Sequence, residues 1–474
     1  MSTIQKRIIL ECDSFNSQKF KQWVIDSKIT DNYKLYVITQ NSRHQEFKSA
    51  LEHIEDVYCF TYDYMFKYKS NKIVDQSIYT GFISSLLNNH LTSRLLDRDA
   101  FWPKEYGVGV YNAFSYYTFS SYGILGFLKD HQIDMVYFRN TPHKANEWTL
   151  GKAADYLGLD VLITQKYVFP WLFTITKGLL KDKQVLLEHK PYNVREDLTF
   201  HIHKHIEKIK GNYRQAMASY ERKRMGKGLF RYYNPFKNKR YILKRPDNFL
   251  NKTKVYFYYK KYCEAIDFKN TDYFIFFLHY QPERSTLPEG DEFVDQFYAI
   301  SVLSRLLPKG MKLVVKEHPA MFTYVCDVRA RNLYTYRQIR ALDNVILCPL
   351  DVDNFELIDN AKAASSITAT TTALESYGRQ TPFILFGKSL FEAQGIHIYK
   401  DIKALQEFIK RVCKDEVKIN NVEETLVELC LKKSIAGIDL SSREDVDYYQ
   451  YYDPEEQAHY KLLTEVLQLN NGSN

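Results

Sequence analysis

Two doubly wound α/β units in one chain, with a basic helical insertion between them, is the fold class the sequence predicts. Three observations predict it. Short apolar runs of four to six residues alternate with longer amphipathic stretches, the pattern of a parallel sheet flanked by helices. The alternation stops near residue 190 and starts again near 270. The chain has 474 residues, enough for two or three domains at roughly 100–200 residues each.

In the first unit, 1–190, Ile8–Glu11, Leu35–Thr39, Val57–Thr61, Met135–Phe138 and Val161–Thr164 read as buried strands. Asn112–Lys129 and Glu147–Leu157 carry apolar residues three and four apart and read as helices. In the second unit, 271–440, the strands are Tyr273–Leu278, Leu313–Val315, Val345–Leu347, Ala363–Ile367 and Phe383–Phe386. Helices are expected over Phe293–Leu307, Asn354–Asn360 and Thr371–Tyr377. A doubly wound unit binds ligands beyond the carboxyl ends of its strands, and two such units facing each other make a cleft.

Composition narrows the class. Apolar residues make up 45% of the chain, which excludes wholesale disorder. The net charge is +8, too mild by itself to call for nucleic acid. Seven cysteines without a CxxC pair argue against a disulfide framework or a zinc ribbon and fit a reducing cytosol. There is no run of about 18 apolar residues to span a membrane, and the apolar run after the basic N-terminus is too short for a signal peptide. A cytoplasmic protein is expected, at the inner face of the membrane if the insertion binds lipid.

That insertion, 191–270, is the exception to the mild charge. From Lys204 to Lys261 stand 18 Lys or Arg against three acids, Glu207, Glu221 and Asp247, with aromatic residues among them. It reads as a solvated helical linker or as a basic-aromatic surface for anionic lipid headgroups or a polyanionic acceptor; nucleic acid is a weaker third reading, since no nucleic-acid motif accompanies the charge. His201, His203 and His205, next to its most basic stretch, read as solvated rather than as metal ligands. The last segment, 441–474, is acidic and tyrosine-rich and ends in an expected helical tail, Glu455–Leu469.

Three stretches of the second unit concentrate reactive groups at expected strand ends. Leu313–Val315 runs into Lys316-Glu317-His318-Pro319, where proline stops the ladder and leaves a Lys and a His at the ligand end of the sheet. His can donate to a phosphate oxygen and Lys supplies a point charge. Ala363–Ile367 is followed by Thr368-Ala-Thr-Thr-Thr-Ala-Leu-Glu375, which gathers the hydroxyls of Thr370, Thr371 and Thr372 at a helix start, where orphan N–H groups and the helix dipole attract anions. The same residue types also cap helices for purely structural reasons. Glu375, a turn further on, is placed to reach a ribose hydroxyl, and Gly387 allows close backbone approach after the next strand. Leu278-His-Tyr-Gln-Pro-Glu283 follows the first strand of the unit and packs Gln281 and Glu283 into one proline-broken turn.

Together LHYQPERSTLPEG, LVVKEHP and SITATTTALESYGRQTPFILFG resemble the capsule polysaccharide and surface-carbohydrate biosynthesis glycosyltransferases of the GT-B fold, the Kdo transferases and, more distantly, the sialyltransferases. Val136-Tyr-Phe-Arg-Asn-Thr-Pro-His143 is a fainter echo in the first unit. The resemblance implies two Rossmann-type domains. It implies a nucleotide-sugar donor, a CMP-linked Kdo- or nonulosonic-type acid, and a glycan or glycolipid acceptor. It places His318 and Thr370, Thr371 and Thr372 on the donor phosphate, with Gln281 and Glu283 lining the cleft. One His and one hydroxyl cluster suffice for a single phosphate, so neither a metal nor another cofactor is expected. Asp351-Val-Asp353, the nearest approach to a metal-holding DxD, is expected to cap the helix at Asn354 instead.

Transfer also needs a carboxylate or His near the acceptor hydroxyl. Glu11 and Asp13 after the first strand, and His143 and Glu147 after a later one, are the candidates in the first unit, with Glu283 a further one in the second. A CDP-glycerol-type alditol-phosphate transferase and a GT-B-fold sugar-nucleotide epimerase are the alternatives, separated by which donor is consumed and whether an acceptor is needed.

Overall fold

The computed structural model describes residues 5–70, 75–100, 110–167, 169–180, 184–185, 195–211, 246–268, 270–281, 283–322, 331–369, 371–433, 436–437 and 452–471. Thr370 and residues 212–245 of the basic insertion lie outside the described residues. The chain divides into two compact units. The first comprises Met1–Lys190, Lys432–Ser442 and Tyr451–Asn474, and the second Pro191–Leu431 and Arg443–Gln450.

The first unit is built on β1 (Lys6–Glu11), β2 (Tyr33–Thr39), β3 (Val57–Thr61), β4 (Met135–Phe138) and β5 (Asp160–Tyr167). These pair in parallel in the order β3-β2-β1-β4-β5. That is a doubly wound order, and it reverses direction between β1 and β4. The strands are continuous apolar runs because both faces are covered; Ile8, Ile9, Leu10, Val37 and Ile38 have no exposed surface. A strand the alternation does not reveal, β6 (Phe169–Lys177), turns back antiparallel on β5, and β7 (Gln184–Val185) and β14 (Ala436–Gly437) pair antiparallel with it.

The expected tail is not a separate segment. Its helix, Tyr452–Asn471, belongs to the first unit. The Thr464 hydroxyl accepts from Trp23 Nε1 at 2.8 Å, the Leu467 carbonyl accepts from the Tyr33 hydroxyl at 2.8 Å, and Tyr460 stacks on Trp23. An acidic surface sequence hides this role, because Leu462, Leu463, Val466 and Leu467 make a stripe at helical spacing that is buried.

The second unit has six parallel strands, β8 (Tyr273–Phe277), β9 (Lys312–Lys316), β10 (Val345–Cys348), β11 (Ala363–Ser366), β12 (Phe383–Leu385) and β13 (Ile396–Ile398), in the order β10-β9-β8-β11-β12-β13. The order again reverses once, between β8 and β11. The expected helix Phe293–Leu307 is shorter, Gln296–Leu306, because Asp295 caps it by accepting from the Phe297 N–H. Asp353 caps Asn354–Asn360 in the same way, accepting from Phe355 N–H at 2.8 Å. Gly387 is where a side chain would not fit: a Cβ would stand 3.0 Å from the Ile367 carbonyl oxygen and 3.1 Å from that of Glu289.

The histidine run is not simply solvated. It lies on the helix Arg195–Lys210, where residues four apart share a face and residues two apart do not. His201 is buried, and burial followed by the charge of Lys208 pulls His205 down to about 4. His203 is exposed and meets Glu423 at 2.9 Å. Among the described residues no helix is long and apolar enough to cross a membrane.

Candidate functional site

Each unit gathers polar side chains where its strand order reverses. In the first, a cavity of about 300 Å³ is lined by Glu11, Asp13 and Ser14 after β1, Gln40, Ser42 and Arg43 after β2, and Asn140, His143, Lys144 and Glu147 after β4. The structure thus brings Glu11, Asp13 and His143 together with Glu147. The first two and the last two stand far apart in the sequence; the adjacency of β1 and β4 closes that gap.

The carboxyl groups of Glu11, Asp13 and Glu147 approach within 4.8 Å of one another. Lys144 supplies the cation among them, 2.7 Å from Glu147 and 3.7 Å from Asp13. Glu147 also accepts the N–H groups of His143 and Lys144, at 3.2 and 3.3 Å, and so serves as a helix cap for Ala145–Tyr156. Burial alone would raise its pKa, but Lys144, His143 and these hydrogen bonds outweigh burial and hold it below the ordinary carboxylate value. Glu11 has weaker support, from the charge of Lys144 and then from the Asp13 N–H that donates to it at 3.1 Å. Burial, then the charges of Glu147 and Asp13, push it up to about 8, so it carries a proton at neutral pH. Asp13 is raised by burial too, against the Gln40 N–H that donates to it at 2.5 Å. The three acids could hold a divalent cation, all-oxygen donors suiting a hard one; with Lys144 in place they form instead a proton-sharing group with a built-in counter-charge.

In the second unit the reversal lies between β8 and β11, and β9 is the next strand. His279 follows β8, His318 follows β9 and Thr368 follows β11. His279 is buried, and its ring Nε2 accepts the Thr368 N–H at 3.3 Å. Burial first, then the charges of His318 and Arg331, lower its pKa to about 3, so the ring is neutral. His318 is half-buried and its ring lies 6.1 Å from that of Tyr280. Thr371 opens the helix Thr371–Gly378 and is exposed, and Thr372 beside it is half-buried.

Lys316 is buried and donates to the Val352 carbonyl; burial outweighs the charges of Asp353, Asp351 and Glu375 and lowers its pKa to about 8. Glu375 is likewise buried within its helix. Gln281 is half-buried and donates to the Val294 carbonyl at 2.6 Å. Glu283 is exposed, and its carboxylate accepts the Ser285 hydroxyl at 3.2 Å. Sequence reasoning passed over three residues of these sites. Lys144 stands directly after His143, a signal that could mark it as the cation for any nearby acid. His279 heads a segment already singled out. Arg331 carries no sequence signal, since only the fold brings it to β8.

No protein-family model and no curated protein matches the sequence. Among solved structures the chain is similar to KpsC of Thermosulfurimonas dismutans, a beta Kdo 2,4 transferase, with 11% identity, 64% of this chain and 79% of that one covered, and a TM-score of 0.30. It is similar to MurG of Acinetobacter baumannii at 8% identity, with 98% and 99% covered and a TM-score of 0.23. It is also similar to a UDP-N-acetylglucosamine 2-epimerase at 11% identity, with 97% and 96% covered and a TM-score of 0.23. Likenesses at these scores carry no argument about activity; what the chain shows by itself is two Rossmann-like units, each with polar groups gathered at its topological switch point.

Proposed function

We propose that the chain is a glycosyltransferase of the GT-B type that moves a sugar from a nucleotide donor to a glycan or glycolipid acceptor. The observation that carries this reading is the convergence of His279, His318 and Thr368 at three neighbouring strand ends of the second unit. In this reading His318 donates to the donor phosphate, and the N–H and hydroxyl groups at Thr371 and Thr372 take its other oxygens. One phosphate is enough for this set, which favours a CMP-linked Kdo- or nonulosonic-type acid.

The acceptor hydroxyl is activated by the carboxyl group of the first unit. At neutral pH Glu11 holds a proton while Glu147 stays ionised, and Asp13 lies close to both. Together with Lys144 they form a group that can take up one more proton, the proton an acceptor hydroxyl gives up when its oxygen bonds to the sugar carbon and the nucleotide leaves with the bonding electron pair. His143 borders the same cavity and can pass that proton on.

A thermal-shift screen with CMP, CDP, UMP, UDP and GDP tests the donor half, since a nucleotide bound to the folded chain raises its midpoint. CMP alone is expected to do so. Incubation with CMP-sugars and CDP-glycerol then tests the reaction. Consumption of CDP-glycerol only would replace this reading with alditol-phosphate transfer, and sugar isomerisation without acceptor would replace it with epimerisation.

A further inference from the structure

The donor residues of the second unit stand on a buried polar network whose members are scattered through the sequence. Glu317 has a fully buried side chain. Its Oε1 accepts the N–H of His318 at 2.7 Å, and its Oε2 accepts the Tyr336 hydroxyl at 2.5 Å and pairs with Arg331 Nε at 3.4 Å. Its own N–H donates to the Tyr259 hydroxyl at 3.3 Å, and that hydroxyl donates to the Cys348 carbonyl at 2.5 Å. Arg331 Nη2 continues the chain by donating to the His279 carbonyl at 3.0 Å. Gln296 holds both backbone groups of His279, accepting its N–H at 2.7 Å and donating to its carbonyl at 3.1 Å. The His279 ring then accepts the Thr368 N–H, and the Thr368 hydroxyl donates to the Ser285 carbonyl at 2.8 Å.

The path therefore runs His318, Glu317, Arg331, His279, Thr368 across the ends of β9, β8 and β11. A buried ion pair of this kind does little for stability, because desolvating both charges offsets their attraction. What it does do is fix geometry: it specifies two backbone orientations at once, one at His318 and one at the entry to the hydroxyl segment. The Thr368 N–H is occupied by His279, so an anion at this strand end meets the start of the helix Thr371–Gly378 rather than Thr368.

We propose that Glu317 and His279 are positioning residues of the donor site, joined by Arg331, which hold the backbones of His318 and Thr368 in register for one phosphate without touching it. This rests on the donor reading given above. Neither residue is expected to contact nucleotide. Each acts through a backbone group, Glu317 through the His318 N–H and His279 through the Thr368 N–H.

The test compares E317A, E317Q, H279F and the wild type by calorimetric titration with CMP and by amide hydrogen exchange. E317A removes the acceptor of the His318 N–H, and E317Q keeps an acceptor there but loses the charge. H279F fills the ring space and leaves the Thr368 N–H without its partner. E317A and H279F should each weaken CMP binding by about tenfold or more, the effect of losing one well-aligned contact. E317Q should restore most of the affinity. Exchange should quicken around 316–319 in E317A and around 366–369 in H279F, and remain at the wild-type rate in β1 to β5. Equal CMP affinity in E317A, H279F and the wild type would overturn the proposal. If the alanine variant fails to fold, R331K replaces it, since it breaks the link between Glu317 and the His279 carbonyl, and an unchanged affinity in R331K would overturn the proposal as well. Absence of CMP binding by the wild type would sink the nucleotide reading itself. The exchange arm then decides alone, and unchanged exchange at 366–369 in H279F would overturn the positioning role.

Discussion

The backbone N–H of Thr368 points at the imidazole of His279, 3.3 Å away, across the place where the strand order of the second unit reverses. The two residues are 89 positions apart in the chain and adjacent only because β8 and β11 pair. Doubly wound sheets open a crevice at such a reversal, and here the crevice is bridged by a neutral histidine. The second histidine of this sheet edge, His318, stands one strand further on and is more exposed.

His318→Ala should weaken CMP binding by about 10–100-fold, the loss expected for one hydrogen bond to a charged oxygen. The thermal midpoint should hold, because the side chain is half-buried at a strand end and belongs to no apolar core. Calorimetry and a melting curve on the same preparation check both halves. Unchanged affinity would remove His318 from the donor site.

Asp13→Asn and Glu147→Gln should lower turnover by about 100-fold or more, the scale of a lost general base, and leave CMP affinity within about twofold. Steady-state kinetics together with nucleotide titration separates these variants from His318→Ala, which acts on binding.

Stability should depend on pH through Glu11. Its carboxyl holds a proton up to about pH 8 in the folded chain, whereas the unfolded group releases it near 4.5. The folded state therefore binds more protons between those values, and the stability from this group is full below pH 4.5 and lost as pH rises toward 8. Glu147 works in the opposite sense and only below pH 4.5, because its pKa is lowered. Glu11→Gln should thus gain on the wild type as the pH of urea denaturation is raised from about 5 to about 8, and the gap should level off above. A constant gap across that range would show that Glu11 is ionised in the folded chain.

Ending the chain before residue 452 should lower the melting point of the first unit by roughly 10 °C or more, given several buried apolar side chains at about 1.5–3 kcal/mol each. Trp23 would lose both its stacking partner Tyr460 and its acceptor Thr464. Tryptophan emission and circular dichroism report the change, and an unaltered first transition would mean the helix adds nothing.

Replacing several Lys and Arg of 222–245 should release the protein from vesicles containing anionic lipid at moderate salt, if that basic segment is what holds it there. Sedimentation with vesicles of phosphatidylglycerol and phosphatidylcholine measures this. No binding by the wild type would end the membrane idea.

Much of this fold is written in local pattern. The apolar runs Ile8–Glu11 and Leu313–Val315 are strands because nothing but two-sided burial suits them, and their neighbours follow by alternation. Strand β6 escaped because Phe169–Lys177 mixes Thr with aromatics next to a parallel set, and its antiparallel return depends on β5. The place of the helix Tyr452–Asn471 escaped because its partners, Trp23 and Tyr33, are more than 400 residues upstream. In the sites, residue types at strand ends were legible and pairings were not. Glu11 and Glu147 could each be suspected, but only the adjacency of β1 and β4 makes them neighbours.

That the first unit takes β14 and its last helix from residues beyond 431 has a bearing on how the protein is made. Translation delivers β1 to β6 first, yet their sheet lacks β14 and the helix Tyr452–Asn471 until residues beyond 431 have been made. The second unit, wholly contained between those two deliveries apart from a short later segment, can close while the first still waits. The unit whose strands come earlier in the chain is thus completed by residues that come later, and until 452–471 are present Trp23 and Tyr33 lack their partners Tyr460, Thr464 and Leu467.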